Sequence, residues 1–103
     1  MEEKFDKTKK EYLYLIIKMY LAGRITATVF CDEFHESYDI EVVPDSLSPT
    51  ERQSFEELGH VAGRFSKFKE DHSEFPGVYY TESELRDAVL HAKEQLVGNS
   101  SKF

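Results

Sequence analysis

The sequence predicts an all-α fold, and more specifically a compact four-helix bundle, on three observations. Apolar residues recur at helical spacing in four separate segments, and two of these segments begin with a capping-box pattern. No segment has the alternating pattern of a convincing β-strand. Because 103 residues fit one domain, residues 1–103 are predicted to form a single helical domain.

The first predicted helix spans about residues 5–22 and ends at Gly23, a residue type that commonly caps helix C-termini. Its main apolar face has the spacing i, i+3, i+4, i+7 and consists of Leu13, Ile16, Ile17 and Tyr20. A second apolar stripe on other sides consists of Tyr12, Leu15 and Met19. A helix that is apolar nearly all round is expected at the centre of a bundle or against a second subunit.

The second predicted helix spans about residues 27–39, with Thr26 as its N-cap. Its apolar face consists of Ala27, Phe30, Phe34 and Tyr38. Its opposite face is acidic and consists of Asp32, Glu36 and Asp39, with Glu33 at the border. The following connector, residues 40–47, is interrupted by Pro44 and Asp45, so at most a brief extended piece is expected there.

The third and fourth predicted helices span about residues 49–67 and 82–97. Ser48 and Glu51 form the first capping box, with Pro49 at the first helical position, and Thr81 and Glu84 form the second box. The expected core faces are Phe55, Leu58, Ala62 and Phe65 in the third helix and Leu85, Ala88, Val89, Ala92 and Leu96 in the fourth. Residues 70–80 are predicted to form a loop, and the tail, residues 98–103, to be disordered.

Two glycines lie one turn apart inside the third predicted helix. Gly59 and Gly63 each cost about 1 kcal/mol relative to alanine in a helix interior. A closely packed neighbour is therefore expected beside them.

The net charge is −7, from 20 acidic and 13 basic residues, and it is unevenly distributed. Residues 31–57 contain nine acidic residues and one basic residue, a local charge of −8. Such a field repels nucleic acid, which proteins bind mainly through Lys and Arg, and attracts a basic partner. The simpler interpretation is that the charge provides solubility.

The composition also predicts the compartment. A single cysteine, Cys31, cannot form an internal disulfide, and the N-terminus is polar and charged. The longest apolar stretch, residues 12–21, is too short to cross a membrane and is interrupted by Lys18. A soluble cytoplasmic protein without membrane contact is expected.

Residue types that could perform chemistry are sparse. Cys31 and His35, four residues apart on one helix, could form a nucleophilic pair or half of a metal site. No second pair completes such a site, and the other histidines are scattered. The phosphate-binding, hydrolase and zinc-helix motifs are absent, and no acid lies within an apolar stripe. The prediction is a non-enzymatic protein with no metal and no cofactor. A small metal-dependent enzyme centred on Cys31 and His35 is the least favoured hypothesis.

Three aromatic residues fall outside the helical stripes, namely Phe75, Tyr79 and Tyr80 in the acidic 70–80 loop. They either fold back to cover the core or serve as anchors of an interface, where aromatic residues contribute strongly. The sequence leaves both possibilities open.

An ordered set of segments resembles the colicin D immunity protein family. The turn LAGRITA at residues 21–27, followed by Phe30, resembles the turn between the first two helices of that family. Further matches occur in the same order: Ser48-Pro49, Glu57-Leu58, Ala62, Arg64-Phe65 and the segment from Tyr80 to Leu85-Arg86. The resemblance covers roughly residues 12–97.

The resemblance implies a four-helix bundle that binds a basic tRNase toxin domain and occludes its active site with acids that mimic tRNA phosphates. The implied toxin-binding residues are Glu70, Asp71 and Glu74, with Glu56, Glu57 and His60 as the adjoining face of the third helix. The toxin could belong to a colicin or to a contact-dependent growth inhibition system. The expected partner is this nuclease domain, without direct contact to nucleic acid.

Two alternatives stay open at this point. The acids of the second helix, Asp32, Glu33, Glu36 and Asp39, could form the interface in place of the 70–80 loop. The alternative function is a non-enzymatic helical adaptor or regulatory protein that dimerises through the first helix. A homo-oligomer is compatible with either function.

Overall fold

The computed structural model describes residues 10–41 and 47–98, apart from the side chains of residues 39–41. This part of the chain is mostly helical and contains no strand, which confirms the all-α class. Its α-helices are α1 (Lys10–Leu21), α2 (Ala27–His35), α3 (Pro49–Ala62), α4 (Lys69–Glu74) and α5 (Glu82–Val97). None of them is long and apolar enough to cross a bilayer.

One hydrophobic core joins α1, α2, α3 and α5, and it contains nearly all the residues that the helical spacing placed inside. Its buried side chains are Leu13, Tyr14, Ile16, Ile17, Tyr20, Ala27, Phe30, Phe34, Leu47, Phe55, Leu58, Ala62, Leu85, Val89, Ala92 and Leu96. Tyr38, Phe65 and Ala88 are partly buried at its edge. α3 packs against α5 and α2, and α1 packs against α2 and α5.

The predicted starts of the second, third and fourth helices are confirmed by the capping bonds of α2, α3 and α5. The backbone N–H of Glu51 donates to Ser48 Oγ at 3.1 Å, and Glu51 Oε1 accepts from the Ser48 N–H at 2.8 Å. Thr81 and Glu84 form the same reciprocal pair at the start of α5. Thr26 Oγ1 caps α2 by accepting from the Val29 N–H at 3.1 Å. Local sequence signals therefore fix where α2, α3 and α5 begin.

The predicted end of the third helix at residue 67 is wrong, because α3 ends at Ala62. Beyond it, the backbone pairs with a distant segment: the Tyr80 N–H donates to the Arg64 carbonyl at 2.8 Å, and the Ser66 N–H donates to the Tyr80 carbonyl at 3.1 Å. These groups are then unavailable for helical bonds. The prediction of a loop at residues 70–80 is also wrong in its first half, where α4 forms.

Other boundaries differ less. Regular α-helix ends at His35 in the second helix, and a π-helical turn, Glu36–Glu41, continues it past the predicted end at residue 39. The predicted first turn at residues 5–9, most of the connector (residues 42–46) and the tail from residue 99 onward lie outside the described residues.

The two glycines of the third helix have different explanations. A Cβ atom at Gly59 would lie 3.4 Å from the Phe34 ring, which confirms a closely packed neighbour there. At Gly63 the nearest atom would be the Gly59 carbonyl oxygen, at 3.1 Å, so none of the described helices packs closely enough to require this glycine. Gly63 instead follows the last residue of α3 as its C-cap.

Candidate functional site

Residues 66–80, here called the α4 segment, leave the core after α3 and return to it before α5, so that the two ends of the segment lie side by side. The backbone pairing of Ser66 with Tyr80 closes its base. Ser66 also organises the interior, since its Oγ accepts from the Phe68 N–H at 3.2 Å and its carbonyl oxygen lies 2.9 Å from His72 Nε2. No residue of α4 is buried. The segment is thus held by polar contacts at its base, and its helix contributes no side chain to the core.

The structure separates the three acids that the resemblance places at the toxin interface. Glu70 and Glu74 are exposed, one turn apart on α4. Asp71 is half-buried, and its Oδ2 accepts a hydrogen bond from the Ser66 hydroxyl. Glu70 and Glu74 are therefore directly available to a partner, whereas one oxygen of Asp71 is already used to hold the α4 segment.

The predicted adjoining face on α3 is brought together as one surface. Glu56, Glu57 and His60 are exposed and line a cleft of about 680 Å³ together with Tyr38, Gln53 and Gly59. The His60 ring meets the Tyr80 ring edge-on, with 6.0 Å between centroids. This contact makes the α3 face continuous with the base of the α4 segment.

The aromatic residues of the α4 segment divide between the two possibilities left open by the sequence. Phe75 is 50% exposed, with its ring 6.3 Å from that of Tyr79, so it does not cover the core. Tyr79 and Tyr80 are half-buried. Phe68, which the sequence analysis missed, is the most exposed large apolar residue described here, at 56%. The sequence did not single out Phe68, because the third helix was predicted to extend to residue 67 and residue 68 then fell just past its end.

The described acids of the second helix lie in different surroundings. Asp32 lines a cleft of about 470 Å³, here called the α2–α4 cleft, which it shares with Cys31 and His35 of α2 and with Phe68, Asp71 and Tyr79 of the α4 segment. Glu33 faces α1 and accepts a hydrogen bond from the Tyr12 hydroxyl. Glu36 is exposed, and the Asp39 side chain lies outside the described part of the chain. Asp32 and Asp71, one from each alternative interface, therefore border the same cleft.

One acid does lie in the core, contrary to the prediction that none is within an apolar stripe. Glu51 is only 2% exposed, and its carboxylate accepts hydrogen bonds from the Tyr14 hydroxyl and from Lys10 Nζ at 2.9 Å. Burial opposes ionisation, but these bonds and that from the Ser48 N–H outweigh it and lower the pKa of Glu51. An acid that stays charged and fully hydrogen-bonded joins α1 to α3, a structural role.

The surroundings of Cys31 keep its thiol protonated. Burial, with a smaller contribution from the Asp32 charge, raises the pKa of Cys31 to about 12, so its thiol stays protonated at neutral pH. In residues 10–41 and 47–98, no group of three or more His, Cys, Asp or Glu side chains could hold a metal ion. The geometry at Cys31 and His35 thus gives no support to the hypothesis of a metal-dependent enzyme.

Alkylation tests this description of Cys31. At mildly alkaline pH, iodoacetamide should label the folded protein at least about 100 times more slowly than the denatured chain, because only the thiolate reacts. Since the chain has no other cysteine, total labelling measured by mass spectrometry reports this residue alone. Comparable rates in both states would show that the folded thiol ionises readily.

Comparison of the chain with models of known families, with curated proteins and with solved structures finds no match.

Proposed function

We propose that this protein is an immunity protein that binds a bacterial tRNase toxin domain and blocks its active site in the cytoplasm. The observation that carries the proposal is the α4 segment, which presents the exposed carboxylates of Glu70 and Glu74 beside the exposed rings of Phe68 and Phe75. The framework we propose is a four-helix bundle of α1, α2, α3 and α5 from which this segment projects. The resemblance to the colicin D immunity family supports the same function.

The chemistry of a nuclease explains why this surface suits it. A nuclease active site must bind phosphates, so its cleft carries Lys, Arg or His. Carboxylates form strong charge-assisted hydrogen bonds with these groups and accelerate encounter with a basic domain. Exposed aromatic rings supply contacts from which water can be excluded, and a few such anchors dominate the affinity of most interfaces.

The α3 face extends the same surface. Glu56, Glu57 and His60 adjoin the α4 segment through the contact of His60 with Tyr80. A stable complex requires a total buried area of roughly 1,600 Å². The small α4 segment needs such a neighbouring face, and we propose that the α3 residues provide it. The protein acts without catalysis, metal or cofactor in this proposal.

The alternative, an adaptor that dimerises through α1, receives less support. The buried face of α1 lies inside the core, and Tyr12, Leu15 and Met19 on its other sides are all partly buried in the monomer. None of the exposed large apolar residues found in the described ranges belongs to α1. Light scattering of the purified protein tests this alternative: a strict monomer would exclude the adaptor, whereas toxin inhibition is compatible with either a monomer or a dimer.

The decisive experiment is co-purification with the product of the adjacent gene, followed by a tRNA cleavage assay. We expect a basic domain to bind tightly and its tRNase activity to disappear at one equivalent of this protein. A neighbour that does not bind, or that binds and still cuts tRNA, would contradict the proposal.

A further inference from the structure

The α2–α4 cleft has features that the proposed function does not use. Its lining includes Ala62, Gly63 and Phe65, at and just after the end of α3, and of these Ala62 and Phe65 are apolar. Its two sides come from α2 and the α4 segment, and each side contributes one carboxylate, Asp32 or Asp71. The cleft therefore combines apolar lining residues with one carboxylate from each side.

Both carboxylates can accept further hydrogen bonds. The Asp32 side chain is exposed and makes no hydrogen bond or ion pair with the residues that the structure describes. Asp71 uses Oδ2 to accept from the Ser66 hydroxyl, and its Oδ1 accepts nothing from that same set. Each acid thus retains acceptor capacity towards a donor that enters the cleft.

The aromatic wall of the cleft already holds a cation. The ammonium of Lys67, another lining residue, lies 5.5 Å from the centroid of the Phe68 ring. This distance is within the range in which the face of an aromatic ring attracts a positive charge. Lys67 forms no ion pair with the described carboxylates, and the Phe68 ring is the group that its ammonium contacts.

We infer that the α2–α4 cleft is a binding site for an arginine side chain of the basic partner. The aliphatic stem would lie against the apolar lining residues, and the guanidinium would donate to Asp32 and Asp71 while its plane stacks against Phe68. Arginine fits better than lysine because its five donors fork towards two acceptors and its flat head stacks on aromatic rings. Lys67 must then move away from the Phe68 ring, so its ammonium competes with the incoming guanidinium for that ring. This inference rests on the proposed function for the identity of the partner.

A direct test uses a blocked amino acid and requires no toxin. N-acetyl-arginine amide is titrated into the isotope-labelled protein, and backbone amide shifts are followed by NMR. We expect saturable shifts centred on Asp32, Phe68 and Asp71, with a dissociation constant in the millimolar range that suits so small a ligand. The neutral isostere N-acetyl-citrulline amide should produce no saturable shift there. Equal responses to both compounds, or none to either, would overturn the inference.

Variants give effects of opposite sign. Asp32→Asn should weaken arginine binding about three- to tenfold, because a charge-assisted bond becomes a neutral one. Lys67→Gln should strengthen it about two- to fivefold, because it removes both the competitor and a like charge. The matched control is Asp87→Asn on the exposed surface of α5, which changes net charge equally and should leave binding within about twofold. A K67Q variant that binds more weakly than the unaltered protein would contradict the assigned competition.

The same variants, measured against the adjacent-gene product, separate this inference from the proposed function. If N-acetyl-arginine amide binds in the cleft but the gene product does not bind, the site stands and the proposed function fails. If the gene product binds and is inhibited with no response to D32N or K67Q, the proposed function stands and the cleft is not its arginine site.

Discussion

Glu51→Gln is expected to lower the free energy of unfolding by about 3 kcal/mol, which corresponds to a fall in melting temperature of roughly 10–20 °C in a domain of this size. The substitution preserves shape but removes the charge that Lys10 Nζ meets at 2.9 Å. It also places an amide N–H₂ among donors, since Tyr14, Lys10 and the Ser48 N–H all donate to this side chain. Thermal and urea denaturation followed by circular dichroism measures the loss.

The chain supplies its own matched control in Glu84. It occupies the equivalent capping-box position at the start of α5 and accepts from the Thr81 N–H at 2.9 Å, but it is exposed and its hydrogen bonds with the described residues are those of its own capping box. Glu84→Gln should therefore cost less than about 1 kcal/mol. Equal losses for E51Q and E84Q would show that capping alone, and not the buried bonds to α1, gives Glu51 its importance.

Acid pH provides a further expected result for the same carboxylate. The pKa of Glu51 in the folded protein is lower than its ordinary value of 4.5, so the ionised form is favoured by folding. Its contribution to stability is complete above pH 4.5 and is lost as the pH falls through the lower, folded-state pKa. The difference in melting temperature between the unaltered protein and E51Q should therefore become smaller as the pH is lowered below 4.5. A difference that stays constant to strongly acidic pH would contradict the ionised assignment.

The parts of the fold that the sequence predicts are those governed by local rules. Thr26, Ser48 and Thr81 cap their helices because each side chain bonds to a backbone N–H three residues ahead. The core faces follow equally from spacing along one helix. The end of α3 escaped prediction because it depends on pairing of Arg64 and Ser66 with Tyr80, a contact between segments far apart in the sequence.

The candidate site shows the same division. The exposed positions of Glu70 and Glu74 could be predicted, because they lie in a polar segment between two helices. The burial of Glu51, outside the site, could not, because it depends on contacts with Lys10 and Tyr14 of another helix. The α2–α4 cleft was likewise beyond the sequence, since Asp32 and Asp71 become neighbours only through the packing of α2 near the α4 segment. The two candidate interfaces, the acids of the second helix and those of the 70–80 segment, meet at this cleft, because one acid of each lines it.

The double charge reversal Glu70→Lys and Glu74→Lys should weaken binding of the toxin domain about 100-fold or more and abolish protection, with no fall in melting temperature. Both side chains are exposed and contribute no described contact to the core, so stability should be unaffected. Against a basic cleft each reversal replaces attraction by repulsion, and the loss should diminish at high salt because exposed charges are screened. Affinity is measured by calorimetry and protection by tRNA cleavage.

Asp71 is left unchanged in this variant because its bond with Ser66 holds the α4 segment, and reversing it would mix loss of structure with loss of contact. The control is Asp87→Lys with Glu94→Lys, which changes net charge by the same amount on the exposed surface of α5. Full protection by E70K/E74K would remove α4 from the interface. Equal loss in both double variants would mean that overall charge, and not these two carboxylates, attracts the toxin. A loss confined to E70K/E74K, at an unchanged melting temperature, assigns the contact to α4. The two double variants carry the same net charge and differ only in where the reversed charges lie.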